Sequence, residues 1–300
     1  MAIHSKYHIT KEETFNSHLE EKAHIYVKHY LPKEGVKPSQ KYYHLIFQHG
    51  MIEYHGNHEE FLESIKNEFG QKVIVSVMDL VGHGLSGGVR AYIDRFDTFC
   101  LDMVRFFKCC SKHFSKEQIS KRVMVSHSLG GLIVLKTVAS EAYKLPFKFD
   151  KLVFVNPCIS PKLNLPDLTV AVTKKIPQLL RQIKIPLIYS ANDLTQDEQR
   201  AISFMHDHLI SKSVTIKLAL ETLEATEGIN SLSYFIKTPS LFLFSGDDSV
   251  VDNEKAKLFV TGMDKKVAES KTYPNMKHDL LNETCRKDVF KEIIKWIKKS

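Results

Sequence analysis

Residues 122–135 read RVMVSHSLGGLIVL, and this stretch predicts a short buried strand, a sharp turn and the start of a helix. Ser128 lies in the turn, between small residues at Ser126 and Gly130. A serine on such a turn is a nucleophile elbow, for which the usual pattern is G-x-S-x-G. Ser126 stands in place of the first glycine, but its side chain is also small. The stretch therefore predicts a nucleophilic serine, and the simpler alternative is a glycine-rich turn without chemistry.

Two backbone N–H groups are candidates for an oxyanion hole. The elbow leaves the N–H of Leu129 at a helix start, where free donors and the helix dipole favour a developing negative charge. The predicted strand 42–48 runs into His49-Gly50-Met51. In hydrolases with a nucleophile elbow, the loop after an earlier strand supplies the second N–H donor of the oxyanion hole. We therefore expect the N–H of Met51 to be that donor, with His49 and Gly50 beside the substrate. A plain glycine turn is the alternative.

Length and composition narrow the class of protein. A chain of 300 residues suits one α/β domain with an insertion, or two small domains. With 43% hydrophobic and 26% charged residues, it has the composition of an ordinary globular protein. Its apolar runs are too short for a membrane span, and its first residues lack the apolar region of a signal peptide. A cytoplasmic protein is expected.

Charge and cysteine content exclude further classes. The formal net charge of +7 is compatible with an anionic membrane surface or anionic lipid substrates. The basic residues form no stripe studded with aromatic residues, and no nucleic-acid motif occurs, so a nucleic-acid partner is not expected. The five cysteines are odd in number and form no C-x-x-C pair, which indicates reduced thiols rather than a disulfide framework or a zinc site.

Strand-like and helix-like segments alternate through the first half of the chain. This alternation predicts parallel strands joined by crossover helices, after two antiparallel edge strands at the N-terminus. The predicted strands are 2–10, 24–30, 42–48, 73–78, 123–125 and 152–156, and the predicted helices are 58–69, 93–107 and 132–143.

The alternation stops after residue 157 and resumes near residue 238. We therefore expect an α/β core formed by residues 1–157 and 238–300, and a helical cap formed by residues 158–237. The predicted cap helices are 174–184, a helix after a capping box at 195–198, and 214–226. The later core elements are strands 240–245 and 267–273, a helix from 253 to 259, and a closing amphipathic helix.

The cap contributes the candidate substrate contacts. Apolar side chains on one face of the predicted helix 174–184 are candidates for an acyl-chain pocket, although packing on the core is the commoner use of such a face. They are Ile176, Leu179, Leu180 and Ile183. Basic residues occupy the other faces, as expected either for solvated charge or for docking on anionic lipid heads.

Three ionisable groups follow predicted strands in the chain order serine, aspartate, histidine. They are Ser128, an aspartate within residues 246–252, and His278. The hydroxyl needs a base to take its proton, and a carboxylate must hold the imidazole in the right tautomer. Asp247 and Asp248 are both candidates for that carboxylate, and the chain order is that of α/β-hydrolases.

Five short motifs extend this match beyond the triad order. They are His49-Gly50 and the segments 79–86 (D-x-x-G-H-G-x-S), 126–131 (S-H-S-L-G-G), 248–252 (D-x-x-V-D) and 278–283 (H-x-L-x-N-E). In these motifs the chain resembles the monoacylglycerol lipase and lysophospholipase family of α/β-hydrolases, also called serine aminopeptidase-like hydrolases. It departs from that family at Ser126, where the family has glycine.

The resemblance implies an α/β-hydrolase fold, with a mostly parallel sheet, helices on both faces and a cap. It implies that Asp248 is the triad acid, and Asp252 is then expected to cap the following helix. It also implies an esterase without metal or organic cofactor, acting on monoacylglycerol or lysophospholipid. The alternatives are a carboxylesterase for small or xenobiotic esters, and a non-catalytic binding protein with a hydrolase fold. The sequence leaves the oligomeric state open.

Overall fold

The computed structural model describes residues 8–18, 23–162, 182–187 and 189–299. The strands in these ranges are β1 (His8–Asn16), β2 (His24–Pro32), β3 (Tyr42–Gln48), β4 (Val73–Met78), β5 (Ile119–His127), β6 (Lys151–Val155), β7 (Lys184–Pro186), β8 (Ser213–Thr215), β9 (Ser240–Ser245) and β10 (Ala268–Tyr273). Eight of them form one sheet in the order β1-β2-β4-β3-β5-β6-β9-β10. β2 is antiparallel to both of its neighbours, and the strands from β4 to β10 in this order are parallel.

Helices cover both faces of this sheet. The helices on the faces are α1 (Glu59–Phe69), α2 (Asp97–His113), α3 (Leu129–Ala139), α7 (Asn253–Thr261) and α8 (Arg286–Lys298). Three more belong to the insertion between β6 and β9: α4 (Ala191–Leu194), α5 (Glu198–His206) and α6 (Ile216–Thr226). Because successive strand residues point to opposite faces, Ile46 of β3 packs in the cluster of α2, α3 and α7, while Phe47 packs in the cluster of α1 and α8. The predicted α/β-hydrolase architecture is confirmed.

The buried strands match their predictions most closely. β3, β4 and β9 have the predicted bounds, since a continuous apolar run allows few other registers. β1 is described from His8 and continues to Asn16, beyond the predicted end at residue 10; the predicted residues 2–7 lie outside the described ranges. β1 is the edge strand, but the prediction was wrong for β2, which lies between β1 and β4.

Helix α2 is displaced toward the C-terminus relative to its prediction, 93–107. Before the helix, Ala91 has a φ of 54° and its carbonyl accepts hydrogen bonds from the N–H and hydroxyl of Thr215 in the insertion. The N–H of Phe96 donates to Glu221. These contacts hold the preceding residues outside the helix. At the other end, buried Cys110 continues the apolar face beyond residue 107.

The insertion between β6 and β9 is less helical than predicted. β7 and β8 form a two-stranded antiparallel pair, so the predicted helix 174–184 ends in a strand; residues 163–181 lie outside the described ranges. Val214 belongs to β8, and α6 starts at Ile216 with Thr215 as its N-cap. The capping box expected at 195–198 is replaced by Asp197, whose carboxylate accepts from the N–H groups of Gln199 and Arg200.

No helix in the described ranges combines the length and the apolar character that crossing a bilayer requires.

Candidate active site

The predicted elbow lies where β5 ends and α3 begins. Ser128 has a φ of 49°, a conformation that costs a non-glycine residue about 1–3 kcal/mol. Its N–H donates to the carbonyl of Val155 on β6, which helps to hold this strained turn. Gly130 is required because a Cβ there would lie 2.4 Å from the carbonyl oxygen of His49. Ser126 is accommodated, since its hydroxyl donates to the carbonyl of Val153 at 3.3 Å.

Three side chains predicted from motif and chain order meet at this elbow. Nε2 of His278 lies 2.9 Å from the hydroxyl oxygen of Ser128, and its Nδ1 lies 2.8 Å from Oδ2 of Asp248. Asp247 is exposed, and its backbone contacts Met276 instead. Asp252 caps α7 by accepting from the N–H of Lys255. The geometry therefore selects Asp248 over Asp247 as the partner of the imidazole.

Asp248 is held as a carboxylate. Burial opposes its charge, but His278 and the N–H groups of Val250 and Val251 outweigh burial and place the pKa of Asp248 below its ordinary value. Those N–H groups donate to Oδ1 at 2.9 Å or less, and the amide of Asn253 donates to Oδ2 at 3.0 Å. A negative charge fixed in this way stabilises an imidazolium on His278.

Asn156 connects the strand ends, and sequence reasoning did not find it. Its amide donates to the hydroxyl of Ser245 at 2.8 Å and to the carbonyl of His278 at 2.5 Å. Its Oδ1 accepts from the N–H of Ser245 and from Asn253. Asn156 has a φ of 42°, a region that asparagine tolerates better than most residues. The pair Asn156-Pro157 directly after a strand was the available signal.

The two candidate oxyanion donors lie beside Ser128. Met51 and Leu129 both line the cavity that contains Ser128, and no described residue accepts a hydrogen bond from either N–H. His49 and Gly50 do not belong to the cavity lining, so their predicted contact with the substrate stays a prediction. Nε2 of His49 accepts from the N–H of Leu80, and the N–H of Gly50 donates to Glu53, so both are committed to holding the loop.

Glu53 joins the elbow to residues 49–53, here called the oxyanion loop because they include the candidate donor Met51. The sequence did not reveal this role of Glu53. Its Oε1 accepts from the N–H of Gly50 at 2.6 Å and from Nδ1 of His127 at 2.8 Å. Its Oε2 accepts from Asn57 and lies 2.9 Å from Nε2 of His58. This carboxylate therefore ties the segment after β3 to the residue that precedes Ser128.

Glu53 and His127 stabilise each other's charged forms. Burial disfavours both charged forms, but the field of Glu53 outweighs burial and raises the pKa of His127 to about 9. The imidazoles of His58 and His127 in turn hold the pKa of Glu53 well below its ordinary value. Both shifts favour a buried ion pair between Glu53 and His127 at neutral pH.

A cavity opens above Ser128, between the sheet edge and the insertion. The volume open to the centre of a water-sized sphere is about 90 Å³, several times the roughly 10–15 Å³ that one water needs. Its lining from the insertion is mainly apolar and consists of Cys158, Pro161, Ile185, Pro186, Leu187, Leu194, Phe204, Val214 and Ala219, with Lys162, Tyr189 and Thr222. Such a lining suits an aliphatic chain.

The structure corrects one of the predicted cap contacts. Ile183 is 48% exposed and is absent from the cavity lining, whereas Ile185 and Leu187 belong to it. The helical spacing used in the prediction does not apply there, because the chain at Lys184 is already in β7. Ile176, Leu179 and Leu180 lie outside the described residues, so their predicted role stays a prediction.

The chain matches a known family over most of its length. A family model described as serine aminopeptidase, S33, matches residues 40–285. Phospholipase YtpA of Bacillus subtilis (strain 168) is 23% identical over 248 residues, which are 82% of this chain and 92% of that protein. Monoglyceride lipase of Homo sapiens is 24% identical over 259 residues, which are 84% of this chain and 82% of that protein.

Solved structures share the fold at lower identity. A soluble variant of monoglyceride lipase from Saccharomyces cerevisiae, in complex with a substrate analog, superposes with a TM-score of 0.79 at 15% identity, covering 99% of this chain and 97% of that chain. Monoacylglycerol lipase of Paleococcus ferrophilus gives 0.74 at 18% identity, covering 96% and 98%. The chain therefore belongs to the serine aminopeptidase S33 family of α/β-hydrolases, among the relatives of monoacylglycerol lipases and lysophospholipases.

Proposed function

We propose that the protein is a serine hydrolase that cleaves carboxylic esters of single-chain lipids, either monoacylglycerols or lysophospholipids. The observation that carries the proposal is the continuous hydrogen-bonded row from Ser128 through His278 to Asp248, which opens on a largely apolar cavity. A nucleophile, a base and an orienting carboxylate in this arrangement are what acyl transfer requires.

The mechanism is an acyl-enzyme cycle. Nε2 of His278 takes the proton of Ser128 as the hydroxyl oxygen attacks the ester carbonyl. The carbonyl oxygen becomes negative and accepts hydrogen bonds from the N–H groups of Met51 and Leu129, which have no other described acceptor. His278 then gives the proton to the leaving alcohol. Water, deprotonated by His278, attacks the acyl-enzyme and releases the fatty acid, so each step uses only groups of the chain and water.

The cavity supports a lipid substrate and leaves two head groups open. Its apolar lining matches an acyl chain, and the relatives include both a phospholipase and monoglyceride lipases. Lys162 lines the cavity and donates to the backbone carbonyl of Asp248, so one positive charge lies near the scissile bond. That charge, together with the net charge of +7, favours a phosphate-bearing lysophospholipid over a neutral monoacylglycerol.

The nucleophile is tested with Ser128→Ala. We expect hydrolysis of a nitrophenyl acyl ester to fall by about 10⁶, as for loss of a triad serine, with unchanged folding. Labelling by a fluorophosphonate probe should disappear with it. Ser249→Ala, at an exposed serine of the Asp248 loop, is the matched control and should retain both activities. Undiminished labelling of the Ser128 variant would refute the proposal.

The substrate class is tested with the wild-type protein. A chain-length series of monoacylglycerols and lysophospholipids should give higher kcat/KM for long acyl chains than for short esters. A preference for short esters would support a carboxylesterase instead. If no ester is hydrolysed and no fluorophosphonate adduct forms, the protein is a binding module with a hydrolase fold.

A further inference from the structure

A second cluster of reactive side chains lies apart from the active-site cavity, between the edge of the sheet and α2. It consists of Glu13 on β1, His29 on β2, and Cys109 and His113 on α2. None of the four lines the cavity above Ser128. This cluster brings two imidazoles, a thiol and a carboxylate together, and the proposed hydrolysis gives it no role.

The four potential ligand atoms are already within reach of one ion. Oε1 of Glu13 lies 2.8 Å from Nε2 of His29 and 2.9 Å from Sγ of Cys109, and Oε2 lies 2.9 Å from Nε2 of His113. All four atoms lie within 4.8 Å of one another. Ligands of a tetrahedral zinc ion are roughly 3.3–3.8 Å apart, given bonds of about 2.0–2.3 Å. Small side-chain rotations would therefore suffice to admit the ion.

The backbone brings these residues together in a regular way. Cys109 and His113 are four residues apart on α2, so both side chains lie on one helix face. His29 on β2 is paired with Lys11 on β1. Glu13 is two residues after Lys11 on β1, so the side chains of Glu13 and His29 lie on one face of the sheet. The packing of α2 on that face forms the cluster.

His29 is oriented as metal-ligating histidines usually are. Its Nδ1 lies 2.7 Å from the hydroxyl oxygen of Ser76, and this contact holds the ring with Nε2 directed at the cluster. Outer hydrogen bonds of this kind fix the tautomer that a metal ligand needs. The side chains of Glu13 and His113 are each 23% exposed, which leaves an entry path for an ion.

One neighbouring group must move. Nζ of Lys11 lies 3.2 Å from Nδ1 and 3.4 Å from Nε2 of His113, and a cation there would repel a metal ion. Lys11 is exposed, so its side chain can extend into water without losing buried contacts.

We propose that Glu13, His29, Cys109 and His113 form a four-coordinate zinc site that fastens the edge strand β1 to α2. The thiol of Cys109 releases its proton to solvent when it coordinates. Both imidazoles are neutral, coordinate through Nε2 and carry their proton on Nδ1, which for His29 donates to Ser76. A site with four protein ligands has no open position, so its role is structural rather than catalytic.

Cobalt reports on the sulfur ligand. When Co²⁺ is titrated into metal-free wild-type protein, we expect a thiolate-to-cobalt charge-transfer band that saturates at one ion per chain and disappears on addition of Zn²⁺. Exposed histidines bind cobalt without this band. Cys109→Ser should lack the band, whereas the control Cys285→Ser, at another partly exposed cysteine, should keep it. Absence of the band in wild type, or its persistence in Cys109→Ser, would overturn the proposal.

Zinc affinity and thermal stability supply an independent readout. Loss of a ligand in His113→Gln should weaken zinc binding by more than the roughly 10–100-fold that outer contacts contribute, whereas Ser76→Ala should fall within that range. Zinc should raise the Tm of wild type and leave that of His113→Gln unchanged. Circular dichroism without metal checks folding, and Glu13→Gln replaces any variant that fails it. Equal affinities in wild type and folded ligand variants would contradict the site.

Discussion

The carboxyl ends of the parallel strands and the insertion between β6 and β9 differ in how they hold functional groups. At the strand ends, Ser128, Asp248 and His278 are each buried, and His278 is hydrogen-bonded to both of the others. In the insertion, apolar side chains divide between the cavity and the surface, where Ile202 is 46% and Met205 52% exposed. Under the proposed function, the reacting groups are therefore held at the buried sheet edge, while the acyl chain would be bound by the shorter elements of the insertion.

After the loss expected for Ser128→Ala, the next largest effect is expected at Asp248 on the sheet edge. Asp248→Asn should reduce kcat by about 10⁴, because an amide cannot hold the imidazole in the required tautomer or stabilise the imidazolium. Asp247→Asn is the matched control, since that side chain is exposed and does not contact His278. Steady-state kinetics of both variants measure the difference. Equal losses of kcat in the two variants would mean that catalysis depends on the conformation of the loop rather than on the carboxylate of Asp248.

The second prediction concerns the bridge beneath the oxyanion loop. Glu53→Gln should lower kcat by about a hundredfold with little change in KM, because the segment bearing the Met51 N–H loses its charged anchor. Glu254→Gln, at an exposed residue of α7, should change neither. An effect confined to KM would show that Glu53 shapes the cavity and does not position the donor.

The same bridge should make folding stability depend on pH. The pKa of His127 is raised from 6.5 to about 9, so its contribution is fully present below pH 6.5 and is lost as the pH rises through 9. The pKa of Glu53 is lowered, so its contribution is lost as the pH falls below its ordinary value of 4.5. Urea unfolding should therefore show the gap between wild type and Glu53→Gln narrowing from pH 6.5 to 9. A constant gap over that range would contradict the ion pair.

A smaller effect is expected in the insertion. Leu187→Ala enlarges the cavity, so the ratio of kcat/KM for long over short acyl esters should rise about tenfold, the scale of a lost apolar contact. Ile183→Ala, at a residue outside the lining, should leave this ratio within twofold of wild type, roughly the scatter of a surface change. The same chain-length series measures both variants. If Ile183→Ala shifted the ratio instead, the lining would be wrongly assigned.

The smallest effect concerns peripheral membrane contact, which we propose for the exposed face of the insertion. The double variant Ile202→Ser and Met205→Ser should bind vesicles of anionic lipid severalfold more weakly and hydrolyse a soluble ester at the wild-type rate. Cosedimentation with vesicles measures the first property. The control, Leu258→Ser, changes an exposed apolar residue on α7. Equal losses in both variants would argue against docking through the insertion.

The fold and the meeting of Ser128, His278 and Asp248 were predictable because local signals agreed with the tertiary arrangement. The strands β3, β4 and β9 are continuous apolar runs with one buried register, and parallel strands necessarily end at one edge of the sheet. Ser128 and His278 were found from motif and chain order together. The displaced start of α2 was not predictable, because contacts from Thr215 and Glu221 hold its first expected turn outside the helix.

By itself, the sequence predicted the class of fold and singled out Ser128 and His278 as the proposed nucleophile and base, since each lies in a motif of a few neighbouring residues. The motif spacing favoured Asp248 over Asp247, and the tertiary structure places Asp248 against His278. Only the tertiary structure joined Glu53 to His127 and gathered Glu13 and His29 against α2. The number and spacing of the cysteines indicated that no zinc site was present. The four proposed ligands are dispersed over β1, β2 and α2, so they form no short sequence motif. Partners far apart along the chain leave no periodic signal, and only packing brings their atoms within bonding distance.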